Sequence, residues 1–305
     1  MTSQPSLAVR ADIAAAVAQG VPVVALESTL VAHGLQRPQN LEVARHLESV
    51  VAEEGALAAT VAVIEGRLTV GLEDWELELI ATADDVPKLG VRDLPACVAT
   101  GRTGATTVAS TAHLAAIAGV EVFATGGMGG VHRGARDSWD ESADLTALAA
   151  TPVLLVCAGV KSILDVAATL QRLETLGVPV VGYDTFDFPG FYLARSGHQL
   201  QWSVADPEEA AAVFRARGTA AVDDRALIVA VGVPEDEQLD PQLHDRVLTQ
   251  GLAQAEQAGV SGIDVTPFLL DYFHRETQGQ SLALNIRIIE RNARLAARIA
   301  VALNR

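Results

Sequence analysis

Three segments of the chain share one pattern, in which a helical stretch ends in glycine and a short β-branched apolar run follows at once. They are Gly20-Val-Pro-Val-Val-Ala, Gly119-Val-Glu-Val-Phe-Ala and Gly177-Val-Pro-Val-Val-Gly. A glycine that ends a helix just before a buried strand is typical of the αβ half of a βαβ unit. The recurrence predicts a three-layer α/β/α fold, in which helices cover both faces of a largely parallel, mixed sheet.

Other apolar and amphipathic stretches extend this prediction along the chain. No Pro- or Ser-rich linker interrupts it, so we expect residues 1–305 to form a single domain. Half of the residues are apolar, which is enough for the large core of a soluble globular protein. Further strands are predicted at 58–64, 95–99, 152–158 and 226–233, and helices at 38–54, 105–118, 162–176, 206–217, 241–258 and 282–304.

Composition and charge exclude several classes of function. A net charge of −16 argues against a nucleic-acid surface, because phosphate binding needs clustered basic side chains. The first six residues do not resemble an export signal, and no run reaches the length of a membrane span. Cys97 and Cys157 lie in apolar segments, where cysteine is usually a small buried hydrophobe. We therefore expect a cytoplasmic protein that binds neither membranes nor nucleic acid.

Lysine is rare in this chain. Only Lys88 and Lys161 are lysines among 22 basic residues. Arginine replaces lysine in most surface roles but stays charged, whereas a neutral lysine amine can form a Schiff base. Lys161 follows a buried strand at the predicted start of a helix, where the helix dipole would favour the neutral amine, so we expect it to be a nucleophile. Lys88 is either a phosphate-binding charge or a solvated loop residue.

Other candidate residues follow predicted strands, whose carboxyl ends are where ligands bind in such sheets. Glu27 follows the apolar run Val23-Val-Ala-Leu. Burial there would raise the pKa of its carboxyl, which suits a general acid. It could equally pair with an arginine or cap a helix. Gly101-Arg-Thr-Gly-Ala-Thr-Thr lacks the Walker lysine and is either an anion site at a helix start or an ordinary cap.

Two further segments are rich in glycine or in carboxylates. Gly126-Gly-Met-Gly-Gly-Val-His-Arg-Gly does not enter a helix as a dinucleotide fingerprint does, and it predicts a loop over a small polar ligand. His132 in this loop either binds that ligand or is an ordinary loop residue. Asp137-Ser-Trp-Asp-Glu-Ser-Ala-Asp could supply oxygen ligands to a hard cation, but its composition favours a helix N-cap.

Taken together, these segments resemble the pseudouridine-5′-phosphate glycosidase family, also called the indigoidine synthase A-like family. The likeness extends in order from about residue 20 to about residue 295. The matching segments are Ala25-Leu-Glu-Ser-Thr with His33-Gly, Arg92-Asp-Leu-Pro, Gly104-Ala-Thr-Thr-Val-Ala-Ser-Thr, Phe123-Ala-Thr-Gly-Gly, Gly129-Gly-Val-His-Arg-Gly-Ala, Ser142-Ala-Asp, Val156-Cys-Ala-Gly with Lys161-Ser-Ile-Leu, and Thr266-Pro-Phe-Leu-Leu.

The resemblance implies a lyase that reversibly cleaves the C–C glycosidic bond of pseudouridine 5′-phosphate to uracil and ribose 5-phosphate, in the carbon–oxygen (hydro-lyase) class. It implies that Glu27 protonates the ring oxygen and opens the sugar, and that Lys161 adds at C1′ to give an iminium adduct. It also implies a homotrimer and one Mn²⁺ per subunit held by Asp140. The substrate-binding positions that it implies are Lys88, Val108, Ser142, Ala143, Asp144, His132 and Asn285.

The chain departs from the family pattern at two places, and two other functions remain as alternatives. Arg102 stands where relatives often have lysine, and Asp184-Thr-Phe-Asp-Phe-Pro-Gly differs from the family and could alter the pocket.

A Schiff-base aldolase acting on a sugar phosphate would use the same Lys161 on another bond. A non-catalytic binding role would leave function intact in Lys161→Arg. Release of uracil from pseudouridine 5′-phosphate distinguishes the proposed activity from the aldolase.

Overall fold

In the computed structural model, which describes residues 7–222, 224–260 and 265–304, an eleven-stranded sheet passes through the centre of the molecule. Neighbouring strands are parallel, except that β3 is antiparallel to two of its partners. The strands are β1 (Leu7–Val9), β2 (Val23–Glu27), β3 (Leu57–Ile64), β4 (Arg67–Val70), β5 (Lys88–Leu89), β6 (Gly104–Thr106), β7 (Val122–Ala124), β8 (Leu154–Cys157), β9 (Val180–Tyr183), β10 (Ser203–Val204) and β11 (Leu227–Ala230).

The strand order explains why several distant segments meet. The main path is β1-β4-β3-β2-β7-β8-β11-β9-β10, and β6 also pairs with β3 while β5 pairs with β6. Strands β2, β7 and β8 are therefore adjacent and parallel, so their carboxyl ends lie at one edge of the sheet. The prediction of a largely parallel, mixed sheet in a single domain is confirmed.

Helices cover both faces of the sheet. Strand residues alternate between two cores, with Val24 and Leu26 in one and Val23 and Ala25 in the other. A third, smaller cluster includes Ala62 and Ile64 of β3. The helices are α1 (Ala11–Gln19), α2 (Gln39–Glu53), α3 (Asp74–Thr82), α4 (Leu94–Ala99), α5 (Val108–Ile117), α6 (Ala135–Ser138), α7 (Ala143–Leu148), α8 (Val166–Thr175), α9 (Pro207–Thr219), α10 (Pro241–Gln257), α11 (Val265–Glu276) and α12 (Gln280–Leu303).

The division of the helices between the two faces follows their buried residues. Helices α2, α9 and α12 pack on the Val24 and Leu26 face, where α12 contributes a long apolar stripe. Helices α1, α5, α7, α8, α10 and α11 contribute to the core on the opposite face. This is the three-layer arrangement expected from the sequence.

The prediction of a strand at 95–99 is wrong, because this segment is helix α4. Proline at the first turn of a helix is tolerated, since its missing N–H has no partner there in any case. The two buried residues, Leu94 and Cys97, are three positions apart, as on one face of a helix. A short apolar run does not distinguish a strand from a helix, and the helical spacing was the better indicator.

Two predicted helices begin later than expected. The segment predicted as a helix over 105–118 begins with β6, and its helix α5 starts at Val108. The helix predicted over 162–176 starts at Val166, because the side chain of Asp165 accepts the N–H of Ala168 as an N-cap. The residues before these helices belong to strand β6 in the first case and to the turn from Lys161 to Leu164 in the second.

The described helices and the two cysteines can be compared with the expectations from the sequence. None of the helices in the described ranges combines the length and apolarity that a bilayer crossing requires. Residues 1–6, on which the expectation of no export signal depended, lie outside the described residues. Cys97 and Cys157 are buried and free, as predicted. Burial raises the pKa of the Cys157 thiol to about 12, so this thiol is protonated and unreactive near neutral pH.

Candidate active site

A cavity of about 230 Å³ opens at the carboxyl ends of β2, β7 and β8. Glu27 is the last residue of β2, Gly126 and Gly127 follow β7, and Lys161 follows β8. Strand order therefore brings together residues that are 134 positions apart in sequence (161 − 27). The cavity is lined by Glu27, Thr29, Leu30, His33, Gly34, Lys88, Gly126, Gly127, Lys161, Phe191, Thr266, Pro267, Leu270 and Asn285.

Glu27 lies at the wall of the cavity with little access to bulk water. Burial raises the pKa of its carboxyl above the ordinary value for glutamate, because the charged form loses its hydration. Lys161 and a hydrogen bond donated by the Thr125 hydroxyl oppose this shift but do not cancel it. A carboxyl with a raised pKa holds its proton to higher pH than an ordinary glutamate, which is the property that a general acid needs.

Lys161 lies in a turn and not at a helix start. Its N–H donates to the carbonyl of Met128 at 3.3 Å, and its own carbonyl accepts the N–H of Leu164 at 2.9 Å. The helix begins only at Val166, so the expected effect of the helix dipole on Lys161 does not apply. The amine instead projects from the bridge between Met128 and Val160, which joins the two loops after β7 and β8.

Lys88 reaches the same cavity from the other side. It belongs to the short strand β5, which β6 attaches to the main sheet. Part of its side chain is exposed at the cavity mouth. Surrounding protein and the nearby charge of Lys161 lower the pKa of Lys88 below its ordinary value. The two lysines of the chain therefore line one cavity with Glu27.

Asp144 connects two segments beside the cavity. Its Oδ1 accepts the N–H of Ala109 at 2.9 Å, and its Oδ2 accepts the N–H of Gly129 at 2.8 Å. It is buried, and its charge is close enough to contribute to the raised pKa of Glu27. Asp144 thus joins the first turn of α5 to the glycine-rich loop after β7.

The other substrate-binding positions implied by the resemblance lie near Asp144. Ser142 is the N-cap of α7, where its hydroxyl accepts the N–H of Asp144 at 3.2 Å, and the preference for a helix cap in this acidic segment is confirmed. Val108 is buried at the first position of α5, and Ala143 is exposed. None of the described residues that line the cavity is Val108, Ser142, Ala143 or Asp144, so these four positions flank it.

His132 and Asp140 form a pair on the glycine-rich loop. The two are joined by a backbone hydrogen bond of 3.0 Å, and Nδ1 of His132 lies 3.7 Å from Oδ2 of Asp140. Burial lowers the pKa of His132, although the carboxylate of Asp140 opposes the shift. Within residues 7–222, 224–260 and 265–304, no three His, Cys, Asp or Glu side chains converge as a metal site. A hard cation here would use Asp140 and complete its shell with water or substrate oxygens.

The glycine-rich loop owes most of its glycines to packing. A Cβ at Gly127 would lie less than 3 Å from the ring of Phe191, and one at Gly129 would meet Ser142 and Asp144. Only Gly126 and Gly127 line the cavity, so the loop is in part a ligand-facing wall and in part a packed joint.

Of the two alternatives for Gly101-Arg-Thr-Gly-Ala-Thr-Thr, an anion site at a helix start or an ordinary cap, the contacts in the structure agree with the cap. That segment leads into β6, where a Cβ at Gly104 would collide with Leu89, so its glycine serves strand packing. Arg102 lies on the surface and pairs with Asp85 at 2.9 Å, away from the cavity lining. The helix that follows begins with Thr107 as its N-cap residue.

The divergent segment 184–190 lies beside a different cleft. Asp184, Thr185 and Asp187 line that second cleft, and none of residues 184–190 lines the cavity in the part of the chain that the structure describes. Phe188 packs against Gly159, and Phe191, just beyond the segment, reaches the cavity wall. Phe191 is therefore the residue next to this segment that reaches the cavity.

Three functional contributions were not predicted from the sequence. Thr125 donates to Glu27, and His33 lines the cavity while its Nε2 contacts the carbonyl of Val86 at 2.8 Å. Helix α11 closes the cavity with Thr266, Pro267 and Leu270. His33 and the α11 residues lie in matched motifs that could have indicated them. The contact of Thr125 depends on strand pairing, which the local sequence does not specify.

Comparison with known proteins gives a consistent picture. The family model for indigoidine synthase A like protein matches residues 12–302. A pseudouridine-5′-phosphate glycosidase of Salinispora tropica is 60% identical over 291 residues, which are 95% of this chain and 90% of that protein. Another of Streptomyces griseus is 59% identical over 292 residues, 96% of this chain and 90% of that protein.

Solved structures with the same fold include two relatives. The prealnumycin C-glycosynthase AlnA, in complex with ribulose 5-phosphate, has a TM-score of 0.91 and 34% identity, and the match covers 99% of this chain and 98% of that chain. An indigoidine synthase A-like protein of Thermotoga maritima has a TM-score of 0.88 and 35% identity, and the match covers 98% and 97%.

Proposed function

The chain belongs to the indigoidine synthase A-like protein family, it is an enzyme, and we propose that it reversibly cleaves pseudouridine 5′-phosphate to uracil and ribose 5-phosphate. The observation that carries the proposal is the meeting of Glu27 and Lys161 at the wall of one cavity. A proton donor and a nucleophilic amine are the two groups that this cleavage needs. The bond to be broken ends on carbon, which has no lone pair to protonate, so ordinary acid-catalysed glycoside cleavage is not available.

Glu27 has the role of general acid. It donates its proton to the ribose ring oxygen, and the bond from that oxygen to C1′ breaks. The raised pKa of Glu27 supports this role, because the carboxyl must still be protonated when substrate binds.

Lys161 has the role of nucleophile. Its neutral amine attacks C1′ and forms a C–N bond as the sugar opens. The alkylated amine then loses a proton, so that its lone pair is free. When the C1′–C5 bond breaks, its electron pair stays on C5 of the pyrimidine, which takes up a proton and leaves as uracil, and the nitrogen lone pair forms an iminium with C1′. Water then hydrolyses the iminium, which releases ribose 5-phosphate and regenerates the amine. Arginine cannot replace Lys161 because the guanidinium does not lose its proton.

The remaining residues hold the substrate. Lys88 provides a positive charge at the cavity mouth, and Asn285 forms part of the wall. The partly buried His132, together with Val108, Ser142, Ala143 and Asp144, stands at the flank of the cavity. Asp144 acts chiefly through the two backbone N–H groups that it fixes.

We propose Asp140 as the protein ligand of one Mn²⁺ per subunit. A single carboxylate, partly exposed beside His132, suits a hydrated hard cation. When bound, the cation supplies positive charge that offsets the negative charge of the substrate. The protein's own contribution is to hold Asp140 through its backbone bond with His132.

The test is incubation of the purified protein with pseudouridine 5′-phosphate and Mn²⁺, with detection of free uracil. Lys161→Arg and Glu27→Ala should each abolish release. Lys88→Arg is the matched control, since it makes the same substitution at the only other lysine. We expect it to bind substrate less well and still yield, after borohydride reduction, a ribose 5-phosphate adduct on Lys161. Uracil release by Lys161→Arg would refute the mechanism.

Formation of a C–C bond to another acceptor is a second candidate, favoured by the structural likeness to a C-glycosynthase. The glycosidase relatives are much closer in sequence, which favours uracil as the base. Incubation of ribose 5-phosphate with uracil or with an aromatic acceptor distinguishes the two. We also propose a homotrimer, for which light scattering should give three times the 31.9 kDa chain mass.

A further inference from the structure

Thr125 stands directly beside Glu27 at the edge of the sheet. Strands β2 and β7 are parallel neighbours in which Leu26 pairs with Ala124, so the next residue of each strand is Glu27 on one and Thr125 on the other. Thr125 is fully buried, and its hydroxyl donates a hydrogen bond to Oε1 of Glu27. It does not line the cavity, and it therefore contacts the acid from behind.

Asn292 holds the backbone of this threonine. It is buried on α12, and its Nδ2 donates to the carbonyl of Thr125 at 2.7 Å and to that of Gly126 at 3.3 Å. A buried amide on an apolar helix face is costly unless it is hydrogen-bonded, and these carbonyls supply its partners. The N–H of Thr125 donates to Val156 on the neighbouring strand, so both sides of the residue are fixed.

We propose that Thr125 is the positioning residue that aims the carboxyl of Glu27 into the cavity, and that Asn292 fixes Thr125 for this task. The side chain of a glutamate has three rotatable bonds, and the cavity would let its carboxyl rotate. The Thr125 hydroxyl restricts one carboxyl oxygen and leaves the other free to carry the transferable proton.

The same hydrogen bond also changes during the reaction. As Glu27 gives up its proton it becomes a carboxylate, and a donor to a charged oxygen forms a stronger bond than a donor to a neutral one. The charged groups that face Glu27 are Lys161, Lys88 and Asp144. Burial raises the pKa of Glu27, and Thr125 and Lys161 limit the rise. Loss of the hydroxyl should therefore leave Glu27 both less ordered and a weaker acid.

The first experiment measures the titration of Glu27 without using the reaction. Glutamate labelled with ¹³C at the carboxyl is followed by NMR against pH, and the Glu27 signal is assigned by its absence in Glu27→Gln. We expect Thr125→Val to move the Glu27 titration to higher pH and Thr125→Ser to restore it. Thr277→Val is the matched control, since Thr277 is a buried threonine whose hydroxyl bonds only to backbone groups of Phe273 and Ser281.

The second experiment measures turnover and rests on the proposed function. Thr125→Val should lower kcat roughly 10- to 100-fold with little change in KM, as loss of a hydrogen bond to a charged group implies, and Thr125→Ser should recover most of it. The alkaline limb of its pH profile should move upward with the titration. If wild-type protein releases no uracil, the proposed function fails while the NMR result still decides the role of Thr125.

Two results would overturn the inference. One is a Glu27 titration that is the same in Thr125→Val as in wild type. The other is a shift of equal size in Thr277→Val, which would mean that any lost buried hydroxyl has this effect. If Thr125→Val does not fold, Thr125→Cys takes its place, because a thiol is a weak donor. The expected shift then has the same direction and a smaller size.

Discussion

The carboxylate of Asp144 allows a direct test of how the site is held together. Both of its oxygens accept backbone N–H groups, from Ala109 at 2.9 Å and from Gly129 at 2.8 Å. Asp144→Asn keeps the size and shape of the side chain but replaces one acceptor with an NH₂ group. That group would then face one of the two N–H donors.

The cost follows from the hydrogen bonds that are lost. A buried N–H left without an acceptor costs about 1–3 kcal/mol, and weakening the remaining bond by removing the charge adds about 1 kcal/mol. We therefore expect the free energy of unfolding to fall by about 2–4 kcal/mol. Activity should fall as well, because the glycine-rich loop and the start of α5 would no longer be joined.

The assay is urea unfolding of wild type and variant, with amide hydrogen exchange at Ala109 and Gly129. Ser142→Ala is the control, since it removes only the N-cap of α7 and should cost about 1 kcal/mol. The reasoning is refuted if Asp144→Asn costs no more than Ser142→Ala, or if both amides keep their protection. Loss of activity without loss of stability would instead favour a direct role for Asp144 in substrate binding or proton transfer.

Three other predictions concern the acid, the glycine-rich loop and the cation. The pKa of Glu27 is raised in the folded state, so its contribution to stability is present below the unfolded pKa and is lost as pH rises through the folded pKa. The unfolding free energy of Glu27→Gln should therefore exceed that of wild type at about pH 8 and match it at about pH 4. An equal difference at both pH values would contradict this. Gly127→Ala should push Phe191 into the cavity and raise KM about tenfold. Gly218→Ala is the control, because a Cβ there has open space and KM should not change. Equal KM values in the two variants would show that Phe191 has room to move elsewhere. Asp140→Ala should abolish the recovery of activity that Mn²⁺ gives the chelated wild type, and a wild type indifferent to chelation would remove the cation from the proposal.

The local sequence was a good guide to the elements but not to their boundaries. Glycine followed by β-branched residues correctly indicated β2, β7 and β9. The same local information predicted a strand at 95–99 where the structure has α4, because a short apolar run fits either a strand or a helix. It also placed Lys161 on a helix that begins at Val166, because the side-chain cap at Asp165 is visible only once the turn is formed.

The sequence by itself determined the chemical inventory and the edge of the sheet on which it lies. The scarcity of lysine pointed to Lys161, and the rule that ligands bind at the carboxyl ends of parallel strands grouped it with Glu27. These inferences need only residue type and chain order, because the properties of an amine or a carboxyl and the direction of a βαβ unit are local.

Only the tertiary structure decided which groups touch. The contact of Thr125 with Glu27 depends on the register of β2 against β7, and the pairing of Asp144 with Ala109 and Gly129 depends on how two loops and a helix meet. Both are set by packing between segments far apart in the chain, where shifts of an ångström make or break a hydrogen bond. For the same reason, most of the glycines after β7, which resemble a ligand loop in the sequence, serve as points of close packing in the fold.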